Sequence, residues 1–446
     1  MKTLCIKGGT IINEGRQFTS DILIEGETIS SVGFTDVSKL PGDAHLINAA
    51  GLYVIPGVID DQVHFREPGL THKGSIGSES RAAAAGGITS FMDMPNTKPP
   101  TTSEELLKQK LSIASENSVI NYAFYLGATN DNISDLLDCD PSLYCGVKVF
   151  MGSSTGNMLV NNEKTLREIF RNVRKRVACH CEEEHIIQKN TIGARLKYGE
   201  SIPPEMHPVI RSREACFISS SKAVALAREY GTLLHLLHLS TAEETKLFDN
   251  SMPVTGKRIT GEVCVHHLWF DDTDYAKKGN LIKWNPSIKT AFDRKALLDA
   301  VNNNLIDIIA TDHAPHTREE KEKEYFAAPS GGPLVQHSLV AVMELFHRGL
   351  ISMEKIVEKM CHNPAILFGV AHRGFLREGY KADITIVDPD NSFTVEKQNL
   401  LYRCGWSPFE GVTFRSRVHT TLVNGEVVYT GGRVADHIRG QQLIFK

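Results

Sequence analysis

Short apolar runs that end in a metal ligand or a charged reactive group recur through the middle of this chain, and that repetition constrains the fold more than any other feature. The run VIPGVIDDQVHFREP ends in His64 and Arg66, and ITSFMDMPNT ends in Asn96. YCGVKVFMGSS carries Lys148, RVACHCEE carries His180 and TLLHLLHLST carries His238. IDIIATDHAPH brings Asp312, His313 and His316. Apolar runs of about four to eight residues, separated by helical patterns, read as buried parallel strands with crossover helices. Reactive groups at the downstream ends of successive strands fit an α/β chain folded as a (β/α)8 TIM-type barrel, whose active site lies at the C-terminal ends of its strands. The pattern predicts a metal-dependent enzyme.

The barrel strands are expected over 54–65, 88–95, 121–128, 144–151, 176–181, 232–239, 258–268 and 306–312. TSEELLKQKLSIASEN reads as a helix capped by Ser103 with acidic residues in its first turn. NEKTLREIFRNVRK, REACFISSSKAVALAREYG and VQHSLVAVMELFHRG follow the same logic. Gly/Pro/Ser-rich connections at 64–76, 152–158, 190–211 and 313–334 fall on the reactive side, where long loops act as lids or binding loops. Residues 1–55 read as short strands punctuated by Gly8-Gly9, Gly26 and Gly51. Residues 371–446 behave alike, with a hairpin signal at Asn424-Gly425. Neither end has a useful core of its own, so the two are expected to pair into a composite β-sandwich domain beside a barrel over 56–370.

Composition narrows the class. The 446 residues carry 49 basic against 53 acidic side chains, a net charge of −4. With no basic block, the chain lacks the electrostatic footprint of a nucleic-acid binder. No apolar run is long enough to span a membrane, and the N-terminus lacks a signal-peptide core. Nine cysteines without a C-x-x-C pair read as free thiols of a reducing, cytoplasmic compartment. Cys179 and Cys181 flank His180 but point to the opposite strand face, so they read as small buried apolar groups.

A single histidine on an apolar strand is usually a core residue. That reading weakens when His64, His180, His238 and Asp312 all fall at strand ends that a barrel brings together. Zinc accepts imidazole and carboxylate ligands and leaves a position open for water in catalytic sites. Lys148 is the odd member, since an ammonium beside a cation is repulsive. It is either a lysine carbamate, an anion able to bridge two metals, or a plain charge partner. Burial favours the neutral amine that reacts with carbon dioxide.

The segments VIDDQVHFREPG, MDMPNT, GVKVFMGSSTGNM, ACHCEEEH, LHLSTAEE, NPSIK and ATDHAPHT resemble those of the dihydroorotases in the cyclic amidohydrolase group. The likeness runs through essentially the whole chain and includes FLREGYKADITIVDPD at the re-entry from the barrel. It implies reversible cyclisation of N-carbamoyl-L-aspartate to dihydroorotate in pyrimidine biosynthesis. Zinc-activated hydroxide and Asp312 as general acid and base would carry the reaction. The metal ligands it implies are His64, Lys148, His180, His238 and Asp312, with Lys148 carbamylated.

The chain departs from the family at Gln62, where the first strand carries a histidine that binds the more buried metal. Strict alternation puts Asp60, Gln62, His64 and Arg66 on one face and turns Asp61 away. An amide oxygen is a poorer zinc ligand than imidazole. One tightly held Zn2+ is therefore expected, with a second weak or absent. The substrate residues implied are His64, Arg66, Asn96, Asn285, His316, Ser330 and Gly331. Arg66 is the discriminating one, because its planar fork suits a carboxylate that hydantoin-type substrates lack. His313, His266 and His267 are expected to support or pack rather than ligate. The competing readings are an allantoinase or hydantoinase on the same scaffold, and an inactive partner of aspartate transcarbamoylase. The expected partners are a small-molecule substrate and either a second copy, as a homodimer, or aspartate transcarbamoylase.

Overall fold

A computed structural model describes residues 2–152 and 158–446. Most of the connection expected over 152–158, residues 153–157, lies outside the described residues. Eight barrel strands follow one another in the parallel sense. They are β1 (Val58–Val63), β2 (Ile88–Asp93), β3 (Asn121–Phe124, continued by Leu126–Gly127), β4 (Val147–Phe150), β5 (Val177–His180), β6 (Leu234–Leu236), β7 (Ile259–Cys264) and β8 (Ile308–Ala310). Each pairs with the next. The ring closes where Val63 bridges His313 in the parallel sense and His64 N–H donates to the His313 carbonyl at 2.7 Å.

Alternation then sorts the side chains. Ile59, Met92, Ala123, Tyr125, Ala178, Cys264 and Ile308 fill the lumen. Val63, Phe91, Phe124, Val149, Val177, Val263 and Ile309 face the surrounding helices. The cap at Ser103 forms as expected, with its side chain accepting from Leu106 N–H at the start of Glu104–Asn117.

The two chain ends form one nine-stranded sheet. Thr3–Asn13 pairs with Arg16–Glu25 and with Tyr53–Pro56, and Tyr53–Pro56 pairs in turn with Ile384–Asp388 from the far end of the sequence. Leu4, Ile6, Ile22, Ile24, Val54, Ile384, Ile386 and Leu422 build its shared core. The hairpin between Arg417–Val423 and Glu426–Thr430 turns at Asn424 and Gly425, with φ of 51° and 78°. Both central residues sit in the left-handed region that a two-residue turn requires.

Three element limits differ from expectation. The run 54–65 is two strands, because Tyr53–Pro56 belongs to the terminal sheet and only Val58–Val63 enters the barrel. Gly57 makes the transition, its N–H donating to the Asp383 carbonyl and its Cα packed so that a side chain would collide with Thr89. The strand expected over 258–268 ends at Cys264, and His266 and His267 lie on the short helix Val265–Trp269. The first part of the connection expected over 190–211 is instead the end of a helix, Glu184–Tyr198, stopped by Gly199 at φ 64°.

Candidate active site

The strand ends deliver the reactive groups to one place. His64 directly follows β1, Lys148 lies within β4, His180 closes β5, and His238 and Asp312 lie just past β6 and β8. Arg66, His238 and Asp312 adopt left-handed backbone, with φ of 69°, 41° and 48°. Non-glycine residues held this way cost on the order of 1–3 kcal/mol and cluster at functional sites. One cleft of about 530 Å³ is lined by Gln62, His64, Arg66, Asn96, Lys148, His180, His238, Asn285, Asp312, His316, Ser330 and Gly331. Every site residue singled out in the sequence is among them. Phe150, Trp284 and Ala314, which the sequence reading missed, complete the lining.

The nitrogen and oxygen donors are arranged for a cation. His64 Nδ1 lies 2.7 Å from Asn96 Oδ1, an acceptor, so Nδ1 carries the proton and Nε2 presents a lone pair. That lone pair faces Asp312 Oδ1 at 3.1 Å. Burial holds His64 below its ordinary pKa despite the Asp312 charge, so two acceptors confront each other. Across the cleft, His180 Nδ1 and His238 Nε2 converge at 2.9 Å with ring planes 79° apart. Burial keeps both rings below the ordinary imidazole range, His238 well below it. Neutral, inward-facing imidazoles beside a carboxylate are what a zinc ion binds. Burial also draws the Lys148 amine down to about 8, against the opposing pull of Asp312 and Glu262. Its Nζ lies 4.6 Å from the Phe150 ring centroid. The donor set therefore fits a metal.

At Gln62 the structure corrects the alternation argument. The β1–β2 register shifts between Asp60 and Val63, so β1 carries a bulge there. Bulging lets two successive residues face the same side, and Asp61 turns into the barrel rather than away from it. It does not rescue the missing ligand, because its carboxylate lies against His235 and not in the cleft. Gln62 does line the cleft, but its amide is used locally. Nε2 donates to Asp312 Oδ1 at 3.3 Å, and Oε1 accepts from Cys264 Sγ at 3.7 Å.

The opposite end of the cleft is cationic. Arg66 is 5% exposed, and its Nε donates to the Pro315 carbonyl at 3.0 Å. Burial pulls its guanidinium down to about 10, which leaves it charged at neutral pH. Lys73 Nζ lies 3.0 Å from His316 Nδ1, and an ammonium can only donate. The proton of His316 is thereby placed on Nε2, which donates to the Ser330 carbonyl at 3.0 Å. Arg66 Nη2, 3.0 Å from that same nitrogen, then faces a donor instead of an acceptor. Glu320 lies 3.0 Å from Lys73 Nζ and 3.6 Å from His316 Nδ1 and balances Lys73, which leaves Arg66 as the cation that calls for an anion.

Supporting groups explain how the ligands are held. Glu182 Oε2 lies 3.1 Å from His180 Nε2 and also pairs with Arg211. Burial opposes its charge, yet Arg211 and His180 hold its carboxyl down at about 2. A carboxylate behind a metal-facing imidazole fixes its tautomer. Strand alternation carried two residues past His180 would have found Glu182. Trp284 Nε1 donates to the Asp312 carbonyl at 3.3 Å, and its ring stacks on His266 at 4.5 Å. His313 stays outside the cleft, with Nε2 2.9 Å from Glu79 and Nδ1 accepting from Leu334 N–H at 2.9 Å.

Residues 53–428 match the model of the amidohydrolase family. The chain belongs to the amidohydrolase family. Among its relatives is a dihydroorotase of Halobacterium salinarum, 32% identical over 428 residues that cover 95% of this chain and 96% of that one. An allantoinase of Solibacter usitatus is 32% identical over 453 residues, covering 99% and 97%. In structure, the L-hydantoinase (dihydropyrimidinase) of Arthrobacter aurescens superposes with a TM-score of 0.93 at 27% identity over all of both chains. As an amidohydrolase with such relatives, this protein is a hydrolase of cyclic amides built on a TIM barrel with a β-rich terminal domain.

Proposed function

We propose that this amidohydrolase is a dihydroorotase, interconverting N-carbamoyl-L-aspartate and (S)-dihydroorotate plus water for pyrimidine biosynthesis. The observation that carries the reading is Arg66, a buried guanidinium in the cleft wall whose Nη2 meets no acceptor from His316. A substrate with a free carboxylate supplies that acceptor in a two-pronged contact. His316 and Asn96 flank the same end.

Lys148 as a carbamate, His180 and His238 would hold one zinc ion, with His64 and Asp312 on its inner side. A bound zinc polarises a carbonyl and lowers the pKa of water toward neutrality. Asp312 moves the proton: it takes one from water during ring opening and returns it to the departing ring nitrogen. In the closing direction it takes the proton of the ureido nitrogen. Gln62 keeps Asp312 oriented by donating to Oδ1, in the place where the family has a further ligand. This favours one tightly bound zinc over two.

The test is turnover by zinc-replete enzyme of dihydroorotate, hydantoin and allantoin in parallel, with Arg66→Lys alongside. We expect turnover of dihydroorotate, and for Arg66→Lys a KM raised about tenfold or more, since an ammonium cannot reproduce the fork. Turnover of hydantoin or allantoin with none of dihydroorotate would sink the assignment.

A further inference from the structure

Beneath the cleft, three side chains converge that the catalytic reading does not use. His235 Nε2 lies 3.3 Å from Asp61 Oδ2 and 3.2 Å from Glu262 Oε2. All three residues are 0% exposed, and none lines the cleft. Asp61 precedes His64 by three residues and His235 precedes His238 by three, so the group lies one layer below the cleft ligands. It exists because the β1 bulge turns Asp61 inward.

Among the described residues, the hydrogen bonds around the group leave its centre with no donor but His235 Nε2. Thr260 Oγ1 gives its own proton to the Leu234 carbonyl and lies 2.9 Å from His235 Nδ1. Nδ1 therefore carries a proton and Nε2 points at two carboxylates. Burial lowers the ring, but Asp61 and Glu262 raise it to about 9, so without a metal a proton sits on Nε2 against Glu262 Oε2. Neither Asp61 oxygen accepts a hydrogen bond. Arg176, the nearby guanidinium, is engaged with the Leu367 and Leu234 carbonyls and with Thr260. Two buried carboxylates facing a single imidazole are costly, and burial with the Asp61 charge raises the Glu262 carboxyl to about 8 in answer.

The spacing matches a metal. Ligands about 2.0–2.2 Å from a tetrahedral zinc stand about 3.3–3.6 Å apart, close to the 3.3 and 3.2 Å from His235 Nε2 to Asp61 and Glu262. His235 Nε2, Glu262 Oε2 and one Asp61 oxygen supply three donor atoms, all within 4.8 Å of one another. We propose that Asp61, His235 and Glu262 form a second, structural site for a zinc-class divalent cation, sealed inside the barrel beneath the catalytic cleft. An ion bound there would displace the protons of His235 Nε2 and Glu262, and the two carboxylates and neutral imidazole left would balance its charge. Glu262 Oε1 accepts the backbone N–H of His238 at 3.1 Å, so the ion braces the left-handed turn that presents His238 to the cleft. A closed site of this kind loads as the chain folds. The competing occupant is protons shared among the same three groups, so metal content discriminates.

Metal per chain is measured on protein produced in zinc-supplemented medium, so that the site can load during folding, after exhaustive dialysis against EDTA, for wild type, Asp61→Asn and His180→Asn. The expected result is one chelation-resistant equivalent in wild type, kept in His180→Asn, which removes a cleft ligand, and lost in Asp61→Asn. No resistant equivalent in wild type, its loss in His180→Asn, or its persistence in Asp61→Asn overturns the proposal. Should Asp61→Asn fail to fold, anomalous diffraction at the zinc edge from zinc-loaded wild-type crystals decides. A peak between Asp61, His235 and Glu262 supports the site, and its absence overturns it. Neither readout depends on which cyclic amide the enzyme turns over.

Discussion

Lys148 is the residue at which burial and chemistry meet most directly. Desolvation lowers its amine to about 8 although Asp312 and Glu262 pull the other way. The neutral amine, which attacks carbon dioxide, is therefore the minor form below pH 8 and the major form above it. If the carbamate forms, the enzyme stripped of metal and carbamate regains activity at a rate that rises through about pH 8 and levels off above it. Reactivation at fixed carbon dioxide pressure and zinc, followed by assay and intact mass, checks this. A rate still climbing at pH 10 would mean an ordinary lysine. Lys148, His180 and His238 were legible in the sequence because a charged or ligating group inside an apolar run is costly and needs a reason. Asp61 was not, because alternation assumes an unbroken strand, and a bulge of one residue reverses the face of whatever lies within it. The role of Gln62 was legible only as a departure, since its bonds to Asp312 and Cys264 bring together residues far apart in the sequence.

At the scale of elements, the loop after β8 shows how a flexible segment is made exact enough to line a cleft. Lys321 is fully buried on the short helix Arg318–Lys321 and donates to the carbonyls of Lys283, Pro329 and Gly331 at 3.2, 2.9 and 2.8 Å. Lys283 donates to the Tyr325 and Ala328 carbonyls. Together the two side chains tie down the stretch that presents Ser330 and Gly331 to the cleft. Lys321→Met keeps the bulk but leaves three carbonyls without their donor, a loss of about 1–3 kcal/mol. The variant should melt earlier, be cleaved sooner by protease within 325–331, and show a KM raised more than kcat is lowered. Unchanged proteolysis and KM would mean that the loop holds its shape without the clamp. Composition marked 313–334 as functional, but the clamp was out of reach, because in a sequence a buried lysine looks like a solvated one. Composition also misled at 190–198, which was expected to open the Gly/Pro/Ser-rich connection over 190–211. The segment is helical because Glu183 caps it and Ile187 and Ala194 bury against Ile202, Ile210 and Tyr325.

Across the whole molecule, the barrel has two mouths with opposite fates: the C-terminal ends of its strands hold the cleft, and the other end is plugged. The plug is the end of the described chain. Tyr122 N–H donates to the Gln441 carbonyl at 3.0 Å, Leu443 N–H to the Tyr122 carbonyl at 2.9 Å, and Lys446 N–H to the Gly369 carbonyl at 2.8 Å. Gly440 passes so close that a side chain there would strike the Ile120 carbonyl at 1.8 Å. Leu443, 1% exposed, joins Ile59, Tyr125, Leu367 and Phe368 in the cluster that fills the lumen. The barrel and the terminal sheet were legible because both announce themselves in local period and turn chemistry. The plug was not: Gln441 bonds to Asn121 across 320 residues, and nothing local in QQLIF distinguishes a barrel floor from a short edge strand. The plug predicts a separation of stability from catalysis. Leu443→Ala removes a buried side chain from a close-packed floor, which costs about 2–5 kcal/mol, while every residue lining the cleft stays in place. Urea unfolding should show a lower midpoint with steady-state kinetics at 25 °C close to wild type. If activity falls with stability left intact, the floor acts on the cleft itself and is not a passive closure.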